Sequence, residues 1–259
     1  MAVPPEESKA SNEKILEYLK KKTFGPQEIA GRKIAIFSLP GHGKTVLATR
    51  LGKQNLIITD EDGYTSLSNH PELNGTWKAI NFKSWDIVRL MLPVIESGEF
   101  TADNGEPFDN VIFDTMSGMI AEEIQNIVKS GVTTQEGKVS PELAGRPDYF
   151  LSEQRLLPVM KMIAQMKRCS VTMLFHVRTG DKLTPGDYTR PETHAAAFRT
   201  INKYTSVIAF LEMKGVNKRR LKVMPTDNGV SVKTRHNFGS EFVTDDEFVK
   251  EIEKWKGNS

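Results

Sequence analysis

The sequence holds a single cysteine, Cys169, among 259 residues. One cysteine excludes an internal disulfide and any cysteine-built metal cluster. It stands just before the apolar stretch Val171 to His176, so a buried thiol is expected there. Long apolar runs are also lacking. The first 30 residues carry no signal-like segment, and no later stretch is long and apolar enough to span a bilayer. A soluble, cytoplasmic protein without membrane partners is the expectation. Excess charge of one sign is missing too: 35 Lys and Arg face 33 Asp and Glu, a net +2. No global polycation argument is available, and basic residues have to be judged by where they stand. Internal repeats and low-complexity tracts are absent. Hydrophobic residues at 38% suffice for a full core.

What is present centres on Ala35 to Val46. The apolar run up to Phe37 predicts a strand, and Thr45 to Leu51 place apolar residues at helical spacing. Between them, Ser38-Leu39-Pro40-Gly41-His42-Gly43-Lys44-Thr45 reads as a Walker A phosphate loop. Gly41 and Gly43 let the backbone curl so that successive N–H groups converge on an anion, aided by the start of the following helix. Ser38, Pro40, Gly41, His42, Gly43, Lys44, Thr45 and Val46 would hold ATP. Lys44 would reach the β- and γ-phosphates, and the Thr45 hydroxyl would bind Mg²⁺. Ser38 stands where the strict pattern has glycine; a small residue meets the same need.

Along the chain, residues 1–31 read as a tail plus a short helix with Ile15, Leu16 and Leu19 on one face. A core is expected over 32–240 and a terminal helix over 241–259. Buried strands are predicted at Lys33 to Phe37, Asn55 to Asp60, Asn110 to Asp114 and Val171 to His176. Helices are predicted at Ser84 to Ile95, from the Thr115 turn to Lys129, and at Tyr149 to Lys167. Pro93 and Pro158 are possible kink sites. Residues 130–147 and 177–194 read as loops. Tyr204 to Leu211, Leu221 to Met224 and Val230 to Lys233 read as β segments, the last two joined by a hairpin turn at Asp227-Asn228-Gly229. Thr244 to Glu247 is a capping box that opens the terminal helix. Alternating strands and helices imply an α/β fold with a mainly parallel central sheet, helices on both faces and a C-terminal β-hairpin region.

Ligands sit at the carboxyl ends of such strands. Asp114 closes a buried strand, where a carboxylate would hold the water shell of Mg²⁺ bound at Thr45. Asp60-Glu61-Asp62 follow the second strand. Glu61 is the candidate general base, and the spacing alone leaves Asp60 and Asp62 open. His176 ends the fourth strand, where it would hydrogen-bond the γ-phosphate or the attacking water.

Phe37 to Leu47, Ile58 to Gly63, Val111 to Asp114 and Phe175-His176 together resemble the RecA-like P-loop ATPases. The closer resemblance is to the phage nucleotide-binding, single-strand annealing proteins of the Sak group, over about residues 32–240. That resemblance implies Glu61 as the catalytic base and His176 as a γ-phosphate sensor. Val232-Lys233-Thr234-Arg235 resembles the family's basic motif, so Lys233 and Arg235 would complete a neighbour's site in a homo-oligomer with nucleotide at its interfaces. It also implies ATP and Mg²⁺ as cofactors, and single-stranded DNA as partner in homologous recombination or strand annealing. A single-strand DNA-binding protein is a further candidate partner. The loops at about 130–147 and 177–199 would line the DNA path, the second offering Arg178, Lys182, Tyr188, Arg190 and Arg199. A second basic stretch runs from Lys214 to Arg235.

Two other functions fit a phosphate loop: a small-molecule kinase with its acceptor at Asp60 to Asp62, and a non-hydrolysing nucleotide-binding scaffold. A GTPase is disfavoured, because Asn202-Lys203-Tyr204-Thr205 lacks the final aspartate of a guanine-specificity motif.

Overall fold

Strand β1, Lys33–Ser38, is buried at every position, as a strand covered on both faces must be. The same holds for β2, Asn55–Thr59, and β4, Asn110–Asp114. Each was legible as a continuous apolar run. The computed structural model describes residues 31–60, 62–132, 143–178, 189–214, 218–224, 230–235 and 238–257, with only the backbone of 255–257.

The elements follow in the order β1, α1 (Lys44–Thr49), β2, two 3-10 turns (Asp62–Asn69 and Pro71–Leu73), β3 (Trp77–Asn81), α2 (Trp85–Ser97), β4, α3 (Met116–Ser130), α4 (Arg146–Gln165), β5 (Ser170–Arg178), β6 (Arg190–Pro191), α5 (Ala195–Tyr204), β7 (Val207–Met213), β8 (Arg219–Lys222), β9 (Lys233–Thr234), β10 (Phe242–Val243) and α6 (Asp245–Gly257). They build one sheet in the order β10-β8-β7-β1-β5-β4-β2-β3. From β3 to β7 every pairing is parallel. β8 and β10 continue the sheet antiparallel.

The period of two divides the core cleanly. Ala35, Phe37, Val111, Phe113, Val171, Met173 and Phe175 face one side, against α2, α3, α4 and α5. Ile34, Ile36, Ile57, Ile112 and Leu174 face the other, against α1 and α6. The α/β fold with a mainly parallel sheet and helices on both faces is therefore as expected.

Several boundaries differ. Strand β3 was not expected: Trp77-Lys78-Ala79-Ile80-Asn81 is an edge strand, half-buried along most of its length, and its pattern is neither a run nor an alternation. Helix α5 was also missed. Its cap is His194, whose Nδ1 accepts from the Ala197 N–H at 3.3 Å, and histidine is not a usual start signal. Helix α4 starts earlier than expected because the Asp148 carboxylate accepts from the Gly145 N–H at 2.7 Å and caps it there. Helix α2 runs through Pro93, which lies on its solvent side. β5 extends two residues past His176 into an antiparallel ribbon with β6.

The expected hairpin between Leu221 to Met224 and Val230 to Lys233 is not formed. β8 pairs β7 and β10, and β9 pairs β7. The hairpin is β7–β8 instead, and the Asp227-Asn228-Gly229 turn lies outside the described residues, as does the N-terminal helix. The terminal helix does open on the expected capping box: the Thr244 N–H donates to Glu247 Oε2 at 2.7 Å, and the Glu247 N–H donates to Thr244 Oγ1 at 3.3 Å. Cys169 is fully buried, and burial pushes its thiol up to about 12. Among the described residues no helix is long and apolar enough to cross a membrane.

A buried polar network anchors the amino-terminal ends of three strands. Asn110 Nδ2 donates to Asn55 Oδ1 at 2.8 Å, and Thr172 Oγ1 donates to Asn110 Oδ1 at 3.1 Å. Asn55 Nδ2 donates to the carbonyls of Thr49 and Thr76, both at 3.0 Å. The network holds the chain leaving α1, and with it the base of the phosphate loop. Asn110→Ala leaves Asn55 Oδ1 and Thr172 Oγ1 buried without this partner, so a loss of about 2 kcal/mol is expected. Urea unfolding measures it; a loss under about 0.5 kcal/mol would show that the network carries no such load.

Candidate functional site

The phosphate loop begins where β1 stops. Ser38 is fully buried, and its Oγ donates to the Leu39 carbonyl at 2.9 Å. The chain then turns through Gly41 at φ 76° and Gly43 at φ 82°, a left-handed backbone that other residues adopt at a cost. A Cβ on Gly41 would meet nothing within 4 Å, so glycine is needed there for its φ alone. A Cβ on Gly43 would stand 2.1 Å from Arg219 Nη1, so the φ favours glycine there and any side chain would have to displace the end of Arg219. Lys44 is buried, and its ammonium donates to the carbonyls of Ser38 and Leu39, each at 3.3 Å. The lysine thus lies along the loop it would serve. Because α1 is only six residues long, the converging N–H groups of the loop, with Lys44, make the anion site.

Thr45 Oγ1 donates to Asp114 Oδ2 at 2.7 Å, and both residues are buried. The peptide between Asp114 and Thr115 is cis. The 3-10 turn after β2 passes directly over this pair: a Cβ on Gly63 would stand 3.3 Å from Asp114 Oδ2. His176 ends the central part of β5, in register with Ser38. Its backbone N–H donates to Ser117 Oγ at 3.1 Å. A cavity of about 530 Å³ joins these parts, lined by Pro40, Gly41, His42, Gly43, Lys44, Thr45, Val46, Asp114 and His176. Of the residues expected to hold nucleotide, all but Ser38 line it, and the Ser38 carbonyl positions Lys44.

The two described carboxylates after β2 have separated. Asp60 Oδ1 accepts from the Thr115 N–H at 2.6 Å, and a Cβ on Gly118 would overlap Asp60 Oδ2 at 1.5 Å. Asp60 is thus committed to the start of α3, where a carboxylate suits the helix dipole. Asp62 opens the 3-10 turn and is exposed. Glu61 lies outside the described residues.

Lys233 and Arg235 do not line this cavity. β9 pairs the first residues of β7, which pair the first residues of β1, so both cations sit at the sheet edge opposite the phosphate loop. The Lys233 ammonium donates to the Asn202 carbonyl, and burial, with Arg235 nearby, holds its pKa below the usual range. Arg235 is exposed.

A second cleft, about 460 Å³, lies on the far side of His176. Ile120, Ala121 and Ile124 of α3, Tyr149 of α4, Arg178 and His194 line it, and His176 belongs to both cavities. Arg178 faces Arg190 across the β5–β6 ribbon. Arg199 is exposed on α5. Lys182 and Tyr188 lie outside the described residues.

Sequence reasoning missed four lining residues of the 3-10 turn and its end, Gly63, Ser66, Asn69 and His70, and two from the β7–β8 hairpin, Met213 and Arg219. Arg219 was legible only as one member of a basic stretch. Its place beside Gly43 follows from the hairpin, and the only hairpin signal pointed fourteen residues too late, at Asn228-Gly229.

Among the described residues no cluster of three or more His, Cys, Asp or Glu could hold a metal on its own. The Thr45–Asp114 pair nevertheless fits Mg²⁺, an ion that takes one or two protein oxygens and completes its shell with phosphate and water. No curated relative matches the sequence. A family model described as AAA domain (AAA_24) matches residues 30–236, a span that begins just before β1 and ends just after β9. The chain therefore belongs to the AAA-domain family and carries its P-loop ATPase-type nucleotide-binding fold.

Proposed function

We propose that the protein is an ATP-hydrolysing oligomer of the RecA-like kind, acting on single-stranded DNA in recombination or strand annealing. The observation that carries the ATPase reading is the Thr45–Asp114 hydrogen bond beneath the phosphate loop, with His176 at the end of the strand between them. In this reading the Lys44 ammonium leaves the Ser38 and Leu39 carbonyls for the β- and γ-phosphates. Thr45 Oγ1 and the Asp114 carboxylate would hold Mg²⁺, which would supply neutralisation of phosphate charge. Glu61 takes a proton from the attacking water, and His176 donates to the γ-phosphate.

The position of Arg235 supports the oligomer. An exposed guanidinium at the edge opposite its own phosphate loop can reach a triphosphate only on another copy. The second cleft supports a nucleic-acid partner: the Tyr149 ring, an apolar floor and Arg178 suit a base and its phosphate, and Arg190 stands next to Arg178 on the adjoining strand. Arg219 at the phosphate cavity favours a second reading, a small-molecule kinase in which it serves as the lid cation. ATP turnover without any acceptor separates the two.

Lys44→Ala should abolish ATP turnover, because the charge at the β/γ-phosphates is lost; near-normal steady-state hydrolysis would remove the ATPase assignment.

Glu61→Gln should retain ATP binding and slow hydrolysis by about 10²-fold or more. Asp62→Asn should do less, and Asp60→Asn should act mainly on stability, since Asp60 holds Thr115, the cap residue of α3. A larger hydrolysis defect from Asp62→Asn than from Glu61→Gln moves the base role to Asp62.

Arg235→Ala should bind ATP and hydrolyse it poorly. Mixed in equal amounts with Glu61→Gln, it should recover activity above the mean of the two, because some interfaces then pair an intact Glu61 with an intact Arg235. No recovery despite confirmed co-assembly rejects the role across the interface.

A further inference from the structure

Arg219 stands at the top of β8, opposite Met213 in the β7–β8 hairpin. Its Nη1 occupies the space beside Gly43 that any side chain there would need. It therefore touches the phosphate loop from within the same chain and lines the phosphate cavity. Its other terminal nitrogen, Nη2, lies 2.6 Å from Asp245 Oδ2. Asp245 is the first residue of α6 and is 8% exposed. Its second oxygen is buried without a hydrogen-bond partner among the described residues. Burial pushes the Asp245 carboxyl up, and Arg219 is the foremost of the charges that oppose this.

One guanidinium thus faces two claims. A buried carboxylate holds one side of it, and a cavity built for polyphosphate opens on the other. A triphosphate carries more charge than a single carboxylate and presents more acceptor oxygens to a guanidinium. Resting on the nucleotide reading above, we propose that Arg219 is a polyphosphate contact supplied by the same chain, and that phosphates entering the cavity draw it from Asp245 and so loosen the first turn of α6.

The remainder of α6 is fixed. Phe248, Val249 and Ile252 are in the core, the Phe238 and Phe248 rings stack at 5.5 Å, and Arg32 Nη1 donates to the Ile252 carbonyl at 3.3 Å. Arg50, at the end of the phosphate-loop helix, pairs with Asp246 on the exposed side. Nucleotide occupancy is then reported at Thr244 to Glu247, one guanidinium away from the phosphate loop.

The test measures affinity for a non-hydrolysable ATP analogue by calorimetry on the full chain, with hydrogen exchange of the α6 amides. Arg219→Ala should weaken binding about tenfold or more, the scale of a lost charge-assisted hydrogen bond. Arg219→Lys should recover part of it. Asp245→Asn keeps the shape, removes the competing charge, and should tighten binding about threefold or more. In the Arg219→Ala background Asp245→Asn should change nothing. Asp246→Asn, beside the pair but outside it, should leave affinity as in the wild type. In the wild type the analogue should speed exchange in the first turn of α6 and leave residues 248–252 unchanged. A purely structural ion pair gives the opposite pattern, with Asp245→Asn weakening binding or leaving it unaltered, and that result overturns the proposal. Arg219→Ala binding as tightly as the wild type overturns it as well. Circular dichroism confirms that each variant is folded. If the wild type itself binds no nucleotide, the ATPase reading falls and this inference with it; if it binds and the variants match it, only this inference falls.

Discussion

β5 lies between β1 and β4, parallel to both, with Ser38 level with His176 and Phe113 level with Met173. This pairing sets the geometry of the whole site. Two strand spacings, about 10 Å, separate the phosphate loop from Asp114. Thr45 closes that gap from above, because α1 leans across the sheet edge and delivers its hydroxyl to the carboxylate. Where the intervening strand passes the level of Ser38 it reaches the cavity, and the residue there is His176. A shift of one residue in β5 would send His176 to the other face of the sheet and break the division of the core. The buried alternation of Val171, Met173 and Phe175 against Leu174 is what forbids that shift.

Polar groups do the corresponding work below. Arg32 is 4% exposed and donates to Ser170 Oγ at 3.2 Å and to the Leu51 carbonyl at 3.0 Å. Burial lowers its pKa to about 10, still charged at neutral pH. Lys33 donates to the Met166 carbonyl at 2.9 Å. These cations tie the beginnings of β1 and β5 to the ends of α1 and α4. The apolar layers fix which face each strand presents, and the buried donors fix how far along each strand sits. Neither alone would hold a loop of about eight residues in a single shape.

How much of this was legible depends on where the information lies. β1, β2, β4 and β5 are buried on both faces, so their sequences are uninterrupted apolar runs, and the carboxyl-end rule placed Lys44, Asp114 and His176 together. The elements that escaped notice lie where one face meets solvent or the cap is unusual. Trp77 to Asn81 is an edge strand with Lys78 inside it, and α5 is capped by a histidine. The β7–β8 hairpin was mislocated because the sequence joining its strands, residues 214–218, holds one glycine and no Asn-Gly pair, whereas Asn228-Gly229 advertised a hairpin that the sheet does not use. Arg219 was lost with it. The engagement of Asp60 by the Thr115 N–H was not legible either; a hydrogen bond across 55 residues of sequence leaves no local trace.

The pairing of β1 with β5 also has a bearing on how the chain is made. Arg32 and Ser170, which face each other at the start of that pairing, are 138 residues apart in sequence. β1 is synthesised before both of its partners, β5 and β7, and finds neither when it emerges. At roughly 5–20 residues per second, the wait for β5 is about 7–30 s. During that interval Ile34, Ala35, Ile36 and Phe37 form an unpaired apolar strand with both edges open, the kind of segment that associates wrongly. Strands β2, β3 and β4 lie within 60 residues of one another and can pair first. The phosphate loop, though among the first parts of the core to be translated, takes its shape among the last.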